Sequence, residues 1–134
     1  MPPRAGGLRI LVVDDELEMA AVIADELSDR GYHAVALRSG SEAIERLRHE
    51  PFDALVTDLR MPGVDGLRLL RASRELDPSR PVIVMTGHGA IDTAIEAVGQ
   101  GAYSYLTKPF NLGHLVELIE KALHVHEEEA QIGR

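Results

Sequence analysis

The sequence predicts a doubly wound α/β domain, in which a five-stranded parallel sheet lies between two layers of helices. Five short apolar runs recur along the 134 residues, and amphipathic stretches occupy the intervals between them. Continuous apolar runs of this length are typical of strands buried on both faces of a parallel sheet. Strict alternation of strands and helices favours right-handed crossovers. The flavodoxin-like strand order 2-1-3-4-5, with five helices, is the simplest arrangement that satisfies this pattern.

The individual elements follow from the apolar runs and from the residues that stop them. The predicted strands are 10–13, 34–37, 54–57, 82–85 and 103–106. The predicted first helix ends near Gly31, the second spans 41–50 before Pro51, and the fourth spans 91–98 before Gly99. The fifth runs from 112 to about 129. Apolar residues on one face define the first and third helices: Met19, Val22, Ile23 and Leu27 in the first, and Leu67, Leu69, Leu70 and Leu76 in the third.

The composition excludes several classes of function. With 45% hydrophobic and 27% charged residues the chain is typical of a soluble globular domain, and without cysteine it has no thiolate chemistry. The net charge of −8 disfavours nucleic-acid binding by this domain alone. No apolar run is long enough for a membrane span, and the first residues lack the apolar core of a signal peptide. We therefore predict a cytoplasmic protein with a flexible leader at 1–7, one domain at 8–126, and a helix end at 127–134 that runs toward a linker.

Polar residues cluster where the predicted strands end. Asp14 and Asp15 follow the first strand and Asp58 the third; Thr86 and Lys108 come after the fourth and fifth. The carboxyl ends of parallel strands share one edge of the sheet, where doubly wound folds bind ligands. Each residue alone could have an ordinary structural role, since a carboxylate after a strand often caps a helix. Such roles account poorly for the whole set, because clustered carboxylates repel one another unless a cation lies among them.

The cluster predicts phosphoryl chemistry that depends on Mg²⁺. This ion binds a few carboxylates, keeps several waters and completes its shell with phosphate oxygens. We expect Asp15 and Asp58 to bind it directly, and Asp14 mainly through water. The Asp58 carboxylate can attack a phosphorus centre and form an acyl phosphate. Lys108 would neutralise one phosphoryl oxygen, and the Thr86 hydroxyl would donate a hydrogen bond to the group.

Four segments resemble the receiver domains of two-component response regulators, and the resemblance covers about residues 8 to 124. The segments are LVVDDE at 11–16, VTDLRMPGVDG at 56–66, VMTG at 84–87 and YLTKPF at 105–110. The resemblance implies that Asp58 is the phosphoacceptor, that a sensor histidine kinase is the donor, and that Asp14 and Asp15 are the acidic pair for Mg²⁺. It further implies that the backbone carbonyl of Arg60 is a third protein ligand. Thr86 and Tyr105 match the switch pair of the family, and Lys108 matches its lysine.

Segments 58–63, 85–89 and 101–110 are most similar to receivers of the nitrogen-regulator group. Those receivers precede ATPases that activate sigma-54 polymerase, so the resemblance implies an output role in transcription. The 134 residues contain no Walker motif. We therefore expect a fragment of a larger regulator, with a separate ATPase and DNA-binding output, while a stand-alone regulator remains the alternative.

Two further predictions concern the lifetime and the assembly of the phosphorylated form. Arg60 and His88 lie two residues past Asp58 and Thr86, at the rim of the site, and we expect them to set the dephosphorylation rate. Leu118 and Val125 lie beside the apolar stripe of the fifth helix. We expect a homodimer through the fourth helix, fifth strand and fifth helix, with these two residues near its seam.

Three other functions remain open at this point. A flavin or nucleotide binder of the same fold would need a glycine-rich or hydroxyl-rich loop after the first strand, where this chain has Asp14-Asp15-Glu16. An aspartyl phosphatase resembling the haloacid-dehalogenase family would carry a second aspartate where this chain has Arg60. A pure interaction module would show no labelling that depends on Mg²⁺. We predict instead that the domain modifies itself and turns over no separate substrate.

Overall fold

The computed structural model describes residues 7–87 and 90–132, with side chains up to residue 124. Apart from Gly7, the predicted leader lies outside this part of the chain. Of the predicted helix end at 127–134, the backbone is described as helix up to Ile132, and residues 133–134 lie outside. The strands are β1 (Arg9–Val13), β2 (His33–Leu37), β3 (Ala54–Asp58), β4 (Val82–Thr86) and β5 (Ser104–Thr107). The helices are α1 (Leu17–Asp29), α2 (Gly40–His49), α3 (Gly66–Leu76), α4 (Ile91–Gly99) and α5 (Leu112–Ile132).

The sheet has the predicted topology. Its strands lie in the order β2-β1-β3-β4-β5 and every neighbouring pair is parallel. In the register of the sheet, Asp58 pairs with Met85 and Thr86 pairs with Thr107. The carboxyl ends of the strands therefore meet at one edge, as the flavodoxin-like arrangement requires.

Alternate residues of each strand belong to separate cores on the two faces of the sheet. Leu11 and Val13 of β1 belong to the core on the α2, α3 and α4 side. Ile10 and Val12 belong to the core on the α1 and α5 side. All four are fully buried. Burial of each such side chain stabilises the fold by about 1.5–3 kcal/mol, which explains why these strands are apolar throughout.

Side-chain caps determine where two of the helices begin. The Ser39 hydroxyl accepts a hydrogen bond from the Glu42 amide at the start of α2. The Asp65 carboxylate accepts one from the Arg68 amide at the start of α3. Each bond satisfies a backbone donor that has no partner within its helix.

Two residues of the predicted helix faces are exposed instead. Val22 is 53% exposed and Leu76 is 45% exposed. The buried face of α1 is formed by Ala20, Ile23, Ala24 and Leu27. Val22 lies two residues from both Ala20 and Ala24, which at about 100° per residue places it on the opposite side of the helix from this face. Leu76 is the last residue of α3 and extends past the core.

The apolar stripe of α5 is largely as predicted. Leu115, Val116, Ile119, Ala122 and Leu123 are buried, and Leu112 packs against the same core. Leu118 also packs against this core and is partly buried. Leu118 flanks the buried stripe closely enough to reach this core, so part of its surface is not available to a dimer seam. The Val125 side chain lies outside the described part of the structure, and the dimer stays a prediction.

Among the residues that the structure describes, no helix is both long and apolar enough to cross a membrane.

Candidate functional site

Asp14 is the first residue after β1 and is fully buried. Its backbone amide donates to the Leu37 carbonyl at 3.1 Å, which ties the end of β1 to the end of β2. One carboxylate oxygen, Oδ1, accepts a 2.9 Å hydrogen bond from the Glu16 amide. The other oxygen faces Lys108. Asp15, the next residue, is exposed.

Asp58 ends β3 and is nearly buried, with 8% of its surface exposed. Burial raises the pKa of its carboxyl above the usual value, and the negative charge of Asp14 adds to this effect. The Lys108 ammonium and the Arg60 backbone amide oppose the shift, without cancelling it. The carboxylate of Asp58 is therefore less well compensated than an ordinary surface carboxylate.

Lys108 follows β5 and links the two buried aspartates. Its Nζ lies 2.7 Å from Asp14 Oδ2 and 3.4 Å from Asp58 Oδ2. Partial burial alone would lower the pKa of this ammonium, but the hydrogen bond to Asp14 and the charges of both aspartates raise it. The backbone amide of Lys108 donates to the Thr86 carbonyl at 2.7 Å, and the Lys108–Pro109 peptide bond is cis. Lys108 is thus a fixed positive charge beside Asp58.

The three aspartates can bind a metal ion together. Asp14, Asp15 and Asp58 each offer a carboxylate oxygen, and these oxygens lie within 4.8 Å of one another. One ammonium neutralises at most one of the three carboxylates, so the site keeps an excess of negative charge. Oxygen ligands with excess charge suit a hard divalent cation. The residues present therefore fit a metal of this class.

Thr86 and Tyr105 lie on the side of the site that faces α4. The Thr86 side chain is buried and its hydroxyl donates to the Ala90 carbonyl at 3.3 Å, just before α4 begins. Tyr105 is partly buried against the core on this same side of the sheet. Thr86 is thus hydrogen-bonded to the residue before α4, and Tyr105 packs against the core to which α4 contributes.

Of the two residues predicted to control dephosphorylation, the structure describes Arg60. It is exposed, and it lines a groove of about 510 Å³ between the loop after β3 and Thr93 of α4. Its lining includes Leu59 and Arg60, which directly follow Asp58, but does not include Asp58 itself. His88 falls outside the described residues, so its relation to the site stays a prediction.

Two residues that contact Asp58 were not predicted from the sequence. The Thr57 hydroxyl donates to the Asp58 carbonyl at 3.0 Å, and a side chain at Gly66 would collide with the same carbonyl. Thr57 gave no signal because a threonine in a buried strand is common. Gly66 did carry one, since a glycine directly after a cap residue suggests a close backbone approach.

Comparison with known proteins gives consistent matches. The family model described as "Response regulator receiver domain" matches residues 10–120. The DNA-binding transcriptional regulator NtrC of Escherichia coli K12 is 38% identical over 122 residues, which cover 91% of this chain and 26% of NtrC. The transcriptional regulatory protein ZraR of Salmonella typhimurium is 36% identical over 128 residues, which cover 95% of this chain and 29% of ZraR. The chain thus spans under a third of the length of these curated relatives.

Solved structures show the same architecture. A response regulator receiver domain protein from Clostridium thermocellum superposes with a TM-score of 0.85 at 32% identity, covering 90% of this chain and 97% of that one. NtrX from Brucella abortus, solved in complex with ADP, gives a TM-score of 0.88 at 31% identity, covering 93% of this chain and 29% of NtrX. The full length of the five-stranded fold is therefore shared.

Proposed function

Since this chain belongs to the response regulator receiver family and is related to the regulators NtrC and ZraR, we propose that it accepts a phosphoryl group on Asp58 from a partner histidine kinase. The observation that supports this most directly is the convergence of Asp14, Asp58 and Lys108. Lys108 Nζ lies 2.7 Å from Asp14 and 3.4 Å from Asp58, although 94 and 50 residues separate the partners. A buried carboxylate beside a fixed ammonium is an arrangement suited to nucleophilic attack on an anionic group.

The reaction transfers one phosphoryl group between two side chains. An Asp58 carboxylate oxygen attacks the phosphorus and forms a P–O bond, while the P–N bond of the donor phosphohistidine breaks. The bonding electrons leave with the imidazole nitrogen, which takes a proton from solvent. The product is an acyl phosphate on Asp58. Hydrolysis of this group by water regenerates the carboxylate, so the domain changes state and no separate substrate is turned over.

The acidic cluster is suited to Mg²⁺. We infer that Asp15, Asp58 and the Arg60 carbonyl would bind the ion, with Asp14 acting mainly through water. When bound, Mg²⁺ supplies positive charge that offsets the phosphoryl oxygens during transfer. Around it, Asp14 holds Lys108 in place through the 2.7 Å contact, so that the ammonium can turn toward a phosphoryl oxygen on Asp58.

A signal can leave the site through Thr86. Its hydroxyl bonds the Ala90 carbonyl before α4, and it must give up that bond to donate to a phosphoryl group on Asp58. We infer that this exchange frees the start of α4 and lets Tyr105 turn inward, so that the surface of α4, β5 and α5 has two states. That surface would control an output domain outside the 134 residues.

The proposed setting is a cytoplasmic two-component pathway. Relatives named as transcriptional regulators support an output role in transcription, and we infer that an ATPase and a DNA-binding domain carry it, as in sigma-54 activators. The acidic receiver itself would not contact DNA. A flavin site or turnover of small phosphate esters would require another arrangement of the cluster.

The test is covalent labelling followed by intact mass measurement. With acetyl phosphate and Mg²⁺, we expect the protein to gain one phosphoryl group. Asp58→Asn or added EDTA should abolish the gain, because the nucleophile or the metal is lost. Equal labelling of the Asn variant would refute the acceptor assignment. Steady phosphate release at enzyme-like rates would favour an aspartyl phosphatase instead.

A further inference from the structure

Thr57 lies directly before Asp58 in β3, and its side chain is fully buried. In the sheet it pairs with Val13 of β1 and Val84 of β4, so apolar strands flank it on both sides. Its hydroxyl donates to the carbonyl oxygen of Asp58 at 3.0 Å. A buried hydroxyl needs a partner, and here the partner is the main chain of the phosphoacceptor.

Gly66, the first residue of α3, closes over the same carbonyl. A Cβ at this position would lie 2.3 Å from the Asp58 carbonyl oxygen and 2.6 Å from the Leu59 Cα. The backbone amide of Gly66 donates to the Leu59 carbonyl at 2.9 Å. Only glycine lets the helix start this close to the acceptor's backbone.

The next residue is fixed on both sides as well. The Leu59 amide donates to the Met85 carbonyl at 2.9 Å, and the Leu59 side chain is buried with 2% of its surface exposed. Both backbone polar groups of Leu59, its amide and its carbonyl, are therefore hydrogen-bonded, and they fix the main chain between Asp58 and Arg60. Its orientation determines where the Asp58 carboxylate and the Arg60 carbonyl point. The Thr57 hydroxyl adds a side-chain donor to this stretch of backbone.

We propose that Thr57 is a positioning residue for phosphoryl acceptance. Its hydroxyl holds the Asp58 carbonyl against Gly66, which directs the carboxylate and the following Arg60 carbonyl into the acidic cluster. Without the hydroxyl, the Asp58 carbonyl loses a buried donor, and the bond from the Leu59 amide to Met85 is left to hold that peptide group. This role rests on the proposed function, because it matters only if Asp58 and the Arg60 carbonyl bind a metal and accept a phosphoryl group.

Two variants separate the hydroxyl from the packing of Thr57. Thr57→Val keeps nearly the same shape and removes the hydroxyl, whereas Thr57→Ser keeps the hydroxyl and removes the methyl group. For each variant, Mg²⁺ binding is measured by calorimetry with MgCl₂ alone, and the labelling rate is measured with acetyl phosphate. We expect Thr57→Val to weaken Mg²⁺ binding and slow labelling by about five-fold each, equivalent to about 1 kcal/mol. Thr57→Ser should restore both to within about two-fold of wild type.

Ser73→Ala is the matched control. Ser73 is also fully buried, and its hydroxyl accepts a 2.9 Å hydrogen bond from Arg80, toward the opposite end of α3 from Gly66. Its loss should lower the unfolding temperature and leave Mg²⁺ binding and labelling unchanged.

Three outcomes would overturn the role of Thr57 while wild type still labels on Asp58. In the first, Thr57→Val matches wild type. In the second, Thr57→Ser is impaired as much as Thr57→Val although it keeps the hydroxyl, which would assign the effect to packing. In the third, Ser73→Ala weakens Mg²⁺ binding as much as Thr57→Val, which would make the effect global. A wild type that neither binds Mg²⁺ nor labels would refute the proposed function itself, and the role of Thr57 with it.

Discussion

Lys108 is shared unequally between the two buried aspartates. The 2.7 Å contact with Asp14 is a close ion pair, while the 3.4 Å contact with Asp58 is looser. Burial raises the pKa of Asp58, and the looser contact with Lys108 does not cancel this effect. A nucleophile benefits from this, because its charge is not already neutralised by a tight partner.

This imbalance predicts that the ionised Asp58 carboxylate lowers the stability of the metal-free protein. A raised pKa in the folded state means that Asp58 adds stability below its unfolded pKa, and that this contribution is lost as the pH rises through the folded pKa. At pH 7, Asp58→Asn should therefore raise the unfolding temperature in EDTA, since Lys108 keeps Asp14 as its partner. The difference should shrink as the pH falls through the raised folded pKa, and it should be smallest below the unfolded pKa of about 4.

Mg²⁺ should reverse the order of the two proteins, because a ligand of the native state stabilises the form that binds it better. Thermal unfolding of both proteins in EDTA and in Mg²⁺ measures this. A lower unfolding temperature for Asp58→Asn in EDTA at pH 7 would contradict the expectation.

The side chains that carry charge were predictable from the sequence, and the contacts of the main chain were not. Asp14, Asp58 and Lys108 were predictable because carboxylates and an ammonium that meet at strand ends rarely serve a purely structural purpose as a set. The Thr57 hydrogen bond was not predictable, because it depends on a side-chain rotamer that a strand pattern does not specify. How Arg60 and His88 would affect the lifetime of the proposed acyl phosphate stays a prediction, and His88 lies outside the described residues.

At the scale of elements, two helices begin with glycines that touch the loop between β3 and α3. A Cβ at Gly66 would meet the Asp58 carbonyl, and a Cβ at Gly40 would lie 2.3 Å from the Val64 carbonyl. The first residues of α2 and α3 thus lie in close contact with the two ends of the loop between β3 and α3. Backbone atoms cannot move aside as a flexible side chain can, so both glycines fix the loop that follows Asp58.

Gly66→Ala should therefore destabilise the fold. Displacing α3 from the Asp58 carbonyl should cost about 1–3 kcal/mol in free energy of unfolding, as overpacking does elsewhere. The control is Gly99→Ala in α4, where an added Cβ meets nothing within 4 Å. That substitution should be neutral or stabilise by up to about 1 kcal/mol, because alanine favours helix more than glycine. Urea unfolding measures both, and equal effects would show that the close approach does not matter.

The positions of the strands and helices were easier to predict from the sequence than the rotation of each helix about its own axis. The five apolar runs and the breaks after them predicted strand order and helix number, since burial on two faces leaves little choice of residue. It was harder to predict which side of α1 faces the sheet. Val22 and Ile23 are both apolar, but the residues buried with Ile23 are Ala20 and Ala24. Small residues at these positions allow the helix to approach the sheet. Such a choice depends on the space between layers, which periodicity does not measure.

At the scale of the whole molecule, α4 presents an apolar surface. Ile91, Ile95 and Val98 are 40%, 58% and 42% exposed and lie along one side of the helix. Exposed apolar residues in a row are typical of an interaction surface. They support the predicted homodimer through α4, β5 and α5 better than Leu118 does, because Leu118 is partly committed to the core.

Ile95→Glu should weaken this dimer. Burying one isoleucine stabilises an interface by about 1.5–3 kcal/mol, so its replacement by a charge should raise the dissociation constant about tenfold or more. Val22→Glu is the control, since Val22 is similarly exposed but lies on α1. Analytical ultracentrifugation with and without a phosphoryl donor measures the association. A wild type that stays monomeric in both conditions, or equal losses in the two variants, would contradict this interface.

The wide spacing of the acidic site along the chain has a consequence during protein synthesis. Asp14 is made early, but its partner Lys108 comes 94 residues later, after the last strand of the sheet. A growing chain on the ribosome can expose its aspartates long before the ammonium has emerged. It therefore cannot assemble the complete acceptor until β5 has joined the edge of the sheet. If Asp58 accepts a phosphoryl group as proposed, the chain should become able to do so only after translation has passed the fifth strand and β5 has paired with β4.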